Sequence, residues 1–345
     1  MSELLSRFRG PLGVAAALVA IGLILPWITD DYVIHIAIQI LLFAFLGQSW
    51  NILGGYAGQF SFGHAAFFGI GAYASTSLYL NYGLSPWVGM VVGAAVAALV
   101  GLGIGFLSFR YGLHGPYFAL ATLAFAEILR LLALNWSFVG AQMGMLIPIK
   151  GSSLYDFQFS ERPAYYYVIL AFTGLAYALT YRLERSKTGR YWVAIRENQD
   201  AAEALGIDTM AYKLVAMAIS AALAAIGGTF YAQYLFYVDS ALAFGVDQSV
   251  SILLGTIIGG PGTLYGPLLG SALLAPLSEV TRGLIAGHHG LSLMIYGALL
   301  VAVILFLPGG LADGISRLRA RLSRPRTSEP LAARAGVSAT RGAEE

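Results

Sequence analysis

Glu127 and Arg130 stand three residues apart in PYFALATLAFAEILR, an otherwise apolar run that opens at Pro116. At ~1.5 Å per residue, the carboxylate would lie roughly 16 Å along a helix begun there, close to the middle of a bilayer. A lone carboxylate at that depth is costly and functional by default. Arg130 falls on the same helical face. Two chemistries fit: an ion pair that fixes helix packing, or a pathway carboxylate that meets the ammonium end of a zwitterionic solute.

Polar groups recur in NILGGYAGQFSFGHAAFFGIGAY, which starts at Asn51. Glycines 54, 55, 58, 63, 69 and 71 would break a membrane helix, and Gln48, Asn51, Gln59 and Ser61 would offer hydrogen bonds to a cavity there. Irregular backbone at membrane depth survives only where protein or water covers it. The alternative is a tight turn between closely packed spans. His64 has no His, Asp or Glu at ligand spacing, so no metal is expected. In LLGTIIGGPGTLYGPLLG, Pro261 sits among Gly259, Gly260 and Gly262 and must interrupt a helix. With Gly54 and Gly55, these residues are the candidate hinges. No Lys-Ser/Thr follows the glycines, so this is not a phosphate loop. Neither HExxH nor GxSxG occurs, and His288-His289 reads as a solvated pair in an outer loop. The chain is not expected to be an enzyme or to hold a cofactor of its own.

Composition sets the elements that must position these groups. Hydrophobic residues make up 58% of the 345, only 11% are charged, and mean hydropathy is +0.72. Soluble domains carry roughly 25% charged residues, so the fold class is all-α, a polytopic transmembrane helical bundle. A barrel would alternate apolar and polar residues, and these runs do not. The absence of cysteine excludes disulfide and thiol chemistry. About ten spans of roughly 20 residues fit, at 11–28, 33–53, 62–80, 87–109, 116–136, 164–182, 212–237, 248–260, 265–281 and 291–308. The Gly-rich third and the short eighth are candidates for broken or re-entrant segments. The run after MSELLSRFRG lacks a small-x-small cleavage site and reads as a retained first span.

Lys and Arg set the orientation. With residues 1–10 in the cytoplasm, the inner side holds Arg7, Arg9, Arg110, Arg182, Arg185, Lys187, Arg190, Arg196 and the Arg-rich tail from Arg317. The outer side holds only Lys150, Arg162 and Arg282, along with Asp30, Asp31, Asp239 and Asp247. The membrane domain then covers 11–311 and both termini are cytoplasmic. The polar tail, 312–345, reads as disordered or resting on the anionic inner leaflet.

Between Arg182 and Lys213 the chain becomes charged, and residues 183–211 form the largest inner loop. Its centre, Asp200-Ala201-Ala202-x-x-x-Gly206, resembles the EAA-x-x-x-G signature of ABC-importer membrane subunits, with Asp in place of Glu. Small residues seat a short helix in a partner's groove, Gly206 ends the helix, and the acid can pair with a partner's cation. The signature's later Leu-Pro is missing here. The simpler alternative is an Ala-rich linker between spans.

Together with TGRYWVAIRENQDAAEALGID and the closing LFLPGGL, the blocks above resemble the membrane subunit of branched-chain amino acid (LIV-type) ABC importers, from about Asn51 to Leu311. The resemblance implies a second, related permease, two cytoplasmic ATPase subunits that bind the ATP, a periplasmic binding protein and a bacterial inner-membrane location, with no nucleic-acid partner. It implies that Arg190, Arg196, Glu197, Asp200, Ala201, Ala202 and Gly206 contact an ATPase. Related importers for urea, short amides or aromatic acids share this architecture, and a secondary transporter acting alone is a further alternative.

Overall fold

The computed structural model describes residues 22–284, with 297, 310–312 and 314. Of the expected first span only 22–28 is described. The expected tenth span, His288-His289 and the tail beyond 314 lie outside the described residues.

Helix α1 (Asp31–Trp50) is almost wholly apolar and runs without a break into a π-helical turn, Asn51–Tyr56. The chain then loses helical form over 57–63 before α2 (His64–Tyr82) begins. The Gly-rich break therefore lies ahead of the third expected span rather than inside it. Gly83 closes α2 in the left-handed region, and Ser85 caps α3 (Pro86–Arg110), which has Pro at its first turn. A proline there costs no hydrogen bond, because the first turn's N–H groups have no helical acceptor. Helix α4 (Gly115–Asn135) follows, then two short 3-10 turns and strand β1 (Met145–Leu146). Next come α5 (Arg162–Arg185), α6 (Lys187–Glu197), α7 (Gln199–Ala204) and α8 (Thr209–Leu235). Strand β2 (Tyr237–Val238), α9 (Ser240–Phe244), α10 (Val246–Gly259) and α11 (Gly266–Leu284) complete the described chain.

Among the described residues, six segments are long and apolar enough to cross a membrane: Asp31–Tyr56, Pro86–Arg110, Gly115–Asn135, Arg162–Arg185, Thr209–Leu235 and Ser240–Gly259. The expected count of about ten is thus met only in part. At ~1.5 Å per residue α10 alone reaches about 21 Å, short of a ~30 Å hydrocarbon core. It crosses only together with α9, from which Gly245 divides it.

Helix α8 packs most extensively against α3 and α2, and α1 lies against α11 and α5. The α2–α8 contact is made backbone to backbone. A Cβ on Gly71 would sit 1.9 Å from the Ala225 carbonyl oxygen, and one on Gly228 1.9 Å from that of Phe68. Small residues of this kind let membrane helices approach closely, where apolar burial no longer drives association.

The bundle has two distinct ends. At one, the 137–161 loop folds back: β1 pairs antiparallel with β2 (Met145 with Val238, Leu146 with Tyr237), and the Phe157 ring stacks on Trp87 at 4.2 Å. Arg162 donates to the Asp31 carbonyl at this end. At the other end lie the last turns of α3 and α5 and the helices α6 and α7, which carry Arg110, Arg182, Arg185, Lys187, Arg190 and Arg196, the described members of the set expected inside.

Candidate functional site

Three N-caps shape the charged loop. The Ser186 hydroxyl accepts from the Gly189 N–H, Asn198 Oδ1 from the Ala201 N–H at 3.0 Å, and Asp208 Oδ1 from the Ala211 N–H at 3.0 Å. Each supplies an acceptor to a helix start that lacks one. Helix α7 stops in a Schellman turn. The Gly206 N–H donates to the Glu203 carbonyl (2.9 Å), the Ile207 N–H to that of Ala202 (3.1 Å), and Gly206 takes φ +83°.

The inner face of this loop is locked onto the bundle. Trp192 is buried and donates its Nε1–H to the Tyr212 carbonyl at 2.8 Å, with Ile195 and Ala202 buried beside it. Lys213 is buried with its ammonium 5.3 Å from the Phe109 ring centroid, and it donates to Gln199 Oε1. Gln199 Nε2 and Thr209 Oγ1 both donate to Glu203 Oε1 (2.9 and 2.5 Å), which holds that carboxyl below the usual carboxylate range. The outer face is open. Asp200, Ala201, Ala204 and Gly206 are exposed, and Leu205 exposes 82% of its surface. A leucine so placed, with small neighbours and an acid, can enter a partner's pocket. Trp192, Gln199, Glu203 and Lys213 were not singled out in the sequence. A tryptophan in a polar run is their one local signal.

Arg190 and Glu197 are exposed. Arg196 turns the other way: its Nη1–H donates to the Gly55 carbonyl at 2.9 Å, and its Nε and Nη2 donate to Glu197 Oε1 at 3.2 and 2.8 Å. Gly55 belongs to the π-helical turn, so a residue of the charged loop meets one of the candidate hinges.

Asn51, from the same π-helical turn as Gly55, reaches the second break. Its Nδ2 donates to the Thr263 carbonyl (2.9 Å), and its Oδ1 accepts from the Gly262 N–H (2.8 Å). The Asn51 amide thus clamps the 260–265 break, where α10 ends at Gly259, ahead of Pro261. The polar groups singled out nearby are buried as well. The Ser61 carbonyl accepts from Trp50 Nε1 (2.8 Å) and its hydroxyl from the Gly63 N–H (3.1 Å), while Gln59 donates to the Ala57 carbonyl (3.1 Å). Gln48 is fully buried, and its amide has no hydrogen-bond partner among the described residues. Gly54 faces the Trp50 ring, which a Cβ there would overlap at 2.5 Å.

His64 joins three helices. Its Nε2 lies 2.7 Å from the Ser220 hydroxyl, which donates to the Ser49 carbonyl at 2.6 Å. The Ser220 oxygen therefore accepts from a protonated Nε2. Among the described residues no three His, Cys, Asp or Glu side chains group to hold a metal.

Glu127 and Arg130 form a two-bond fork, Nε to Oε2 at 2.9 Å and Nη2 to Oε1 at 2.6 Å. Their side chains remain 42% and 27% exposed. The structure thus makes the pair that the spacing predicts and leaves it on an open face of α4.

The profile of the family described as "Branched-chain amino acid transport system / permease component" matches residues 32–304. The chain is 29% identical to the high-affinity branched-chain amino acid transport system permease protein LivM of Salmonella typhimurium, an alignment covering 86% of this chain and 73% of that protein. It is 25% identical to the probable branched-chain amino acid transport permease protein LivM of Methanocaldococcus jannaschii (81% and 93% covered) and 26% identical to that organism's probable LivH (70% and 79%). No solved structure matches. With the family profile spanning most of the described helices, the chain belongs to the permease components of branched-chain amino acid transport systems.

Proposed function

We propose that this chain is the membrane-spanning permease of an ATP-binding-cassette importer that translocates branched-chain amino acids delivered by a periplasmic binding protein. ATP is hydrolysed on two cytoplasmic subunits, and a second, homologous permease completes the pathway. The likeness to both LivM and LivH proteins supports that pairing. The protein resides in the bacterial inner membrane with about ten spans and both termini cytoplasmic, the described helices being the larger part of that bundle.

The observation that carries this reading is the two-faced α6–α7 segment. Its inner face is fixed by Trp192, Ala202 and the Gln199–Glu203–Thr209 bonds, while Asp200, Ala201 and Leu205 stand in solvent. An exposed leucine on a rigid, capped element fits an anchor for a protein groove. Arg190, Asp200, Ala201 and Leu205 would touch the ATPase. Gln48, Asn51, Gln59, Ser61 and Glu127 stay the candidates for the solute pathway, and the clamped breaks at Gly54–Gly55 and Gly259–Gly262 the places where it flexes.

The test is L205D, and separately deletion of Asp200–Gly206, in cells that co-express the ATPase subunits. Both variants should insert at wild-type levels yet lose the ATPases on affinity purification, with leucine uptake abolished. Recovery of the ATPases at wild-type stoichiometry would refute the docking role. Uptake of urea or a short amide in place of leucine by the intact system would correct the substrate and leave the docking role standing.

A further inference from the structure

Helix α6 is held to α8 by the Trp192 hydrogen bond and the Tyr191–Tyr212 ring contact, and to the two interrupted segments by Arg196. The Arg196 attachment has an unusual construction. Arg196 lies against glycines from both interrupted segments: a Cβ on Gly58 would fall 2.7 Å from its Cγ, and one on Gly262 would fall 2.5 Å from its Nη1. Both glycines have positive φ, +69° and +73°. The socket therefore exists only because both positions lack side chains. Its walls are tied to each other by the two Asn51 bonds to Gly262 and Thr263. Arg196 closes the ring by donating to Gly55 across it.

The geometry points to Arg196 as a positioning residue of the transport cycle, the joint that passes motion of the ATPase-docking segment to the two broken helices. The inference rests on the docking role proposed above for α7. One extended residue, Asn198, joins α6 to α7, so a displacement of α7 reaches α6 directly. From α6 the guanidinium offers a rigid fork shared between a backbone carbonyl and the Glu197 carboxylate. The elements it meets are the two places where α-helical hydrogen bonding is interrupted: the π-helical turn Asn51–Tyr56 and the 260–265 loop that leads into α11. Glu197, with a side chain 68% exposed, holds the fork from the solvent side and lets it turn with α6. Lysine would reach one acceptor at a time and lose the fork.

The experiment uses the full complex, both permeases with the ATPases, in proteoliposomes supplied with leucine-loaded binding protein. It compares wild type, R196A and R196K. Three quantities are read: ATPase copurification, leucine uptake, and ATP hydrolysed per leucine moved. In R196A the ATPases should still copurify while ATP per leucine rises about tenfold, within the 5–150-fold range of coupling free energies. In R196K the rise should be smaller, about fivefold at most, as one donor replaces the fork. An R196A complex that moves leucine at the wild-type ratio overturns the inference and leaves the docking role intact. So does one in which assembly and uptake fall together at an unchanged ratio, for that is the signature of a structural staple. If R196A does not accumulate, R196K decides by the same ratio. A wild-type permease that recovers no ATPase refutes the docking role and this inference with it.

Discussion

At the residue scale, the Glu127–Arg130 pair poses the sharpest energetic question. The fork is well made, with bonds of 2.6 and 2.9 Å, but a third or so of each side chain is uncovered on a helix read as crossing the membrane. Lipid is a poor neighbour for such a pair. The open face of α4 therefore needs either water or protein against it. Removing one partner strands the other. After discounting for exposure, E127A should cost about 1–2 kcal/mol of stability. The double variant E127L/R130L should regain most of it, because two apolar residues need no pairing. Thermal unfolding in detergent measures this. Leucine uptake separates the two roles left open by the sequence: it stays low in the stable double variant if the pair lines the pathway. Full uptake there would reduce the pair to helix packing. The spacing of the two residues made the bond legible, since i and i+3 share a face. Its exposure was not legible, because that depends on what α4 packs against.

At the element scale, hydropathy located the spans well and the interruptions only roughly. Continuous apolar runs announce their own length, so α3, α4, α5 and α8 fall within a few residues of where they were expected. The third span was a candidate for a broken or re-entrant segment, whereas α2 is an unbroken helix beginning at His64, and the irregular backbone is 57–63. Glycine counts in a run do not say which glycines break a helix and which pack against another. Gly71 and Gly228 are of the second kind: they bring α2 and α8 into backbone contact. Only the partner helix reveals this, and it lies far away in sequence. A methyl at Gly228 would meet the Phe68 carbonyl oxygen at 1.9 Å, so G228A must push α8 from α2. Overpacking of this sort costs about 1–3 kcal/mol. Unfolding midpoints in detergent should show the loss in G228A. By contrast G174A, with open space around the glycine, should be neutral or slightly stabilising through helix propensity. Equal midpoints for the two variants would show that the contact yields easily. The same long-range blindness hid the Asn51 clamp and the inward turn of Arg196: the sequence placed Asn51, Gly262 and Arg196 in three separate groups, and the structure draws them into one.

At the scale of the whole molecule, the distribution of charge and the two ends of the bundle agree, although they are independent observations. Arg110, Arg182, Arg185 and helices α6–α7 gather at one end; Asp30, Asp31, Asp239 and the folded 137–161 loop gather at the other. Cations remain on the cytoplasmic side during insertion, so the charge pattern supports the proposed orientation, in which the α6–α7 end would meet the ATPases and the loop end the binding protein. Natural absence of cysteine makes the orientation directly measurable. Leu205 and Leu154 expose 82% and 72% of their surfaces at opposite ends, and neither packs into a core cluster. Single replacements L205C and L154C should therefore leave the fold intact. A membrane-impermeant maleimide added to cells with a permeabilised outer membrane should label L154C at once. It should label L205C only after the inner membrane is opened. Labelling in the reverse order would put α7 outside, where no ATPase can reach it, and would remove the physical basis for its docking role. Labelling of both in closed cells would mean that the two ends lie on the same side, which α3, α5 and α8, each 24 residues or longer, could satisfy only by not crossing the bilayer.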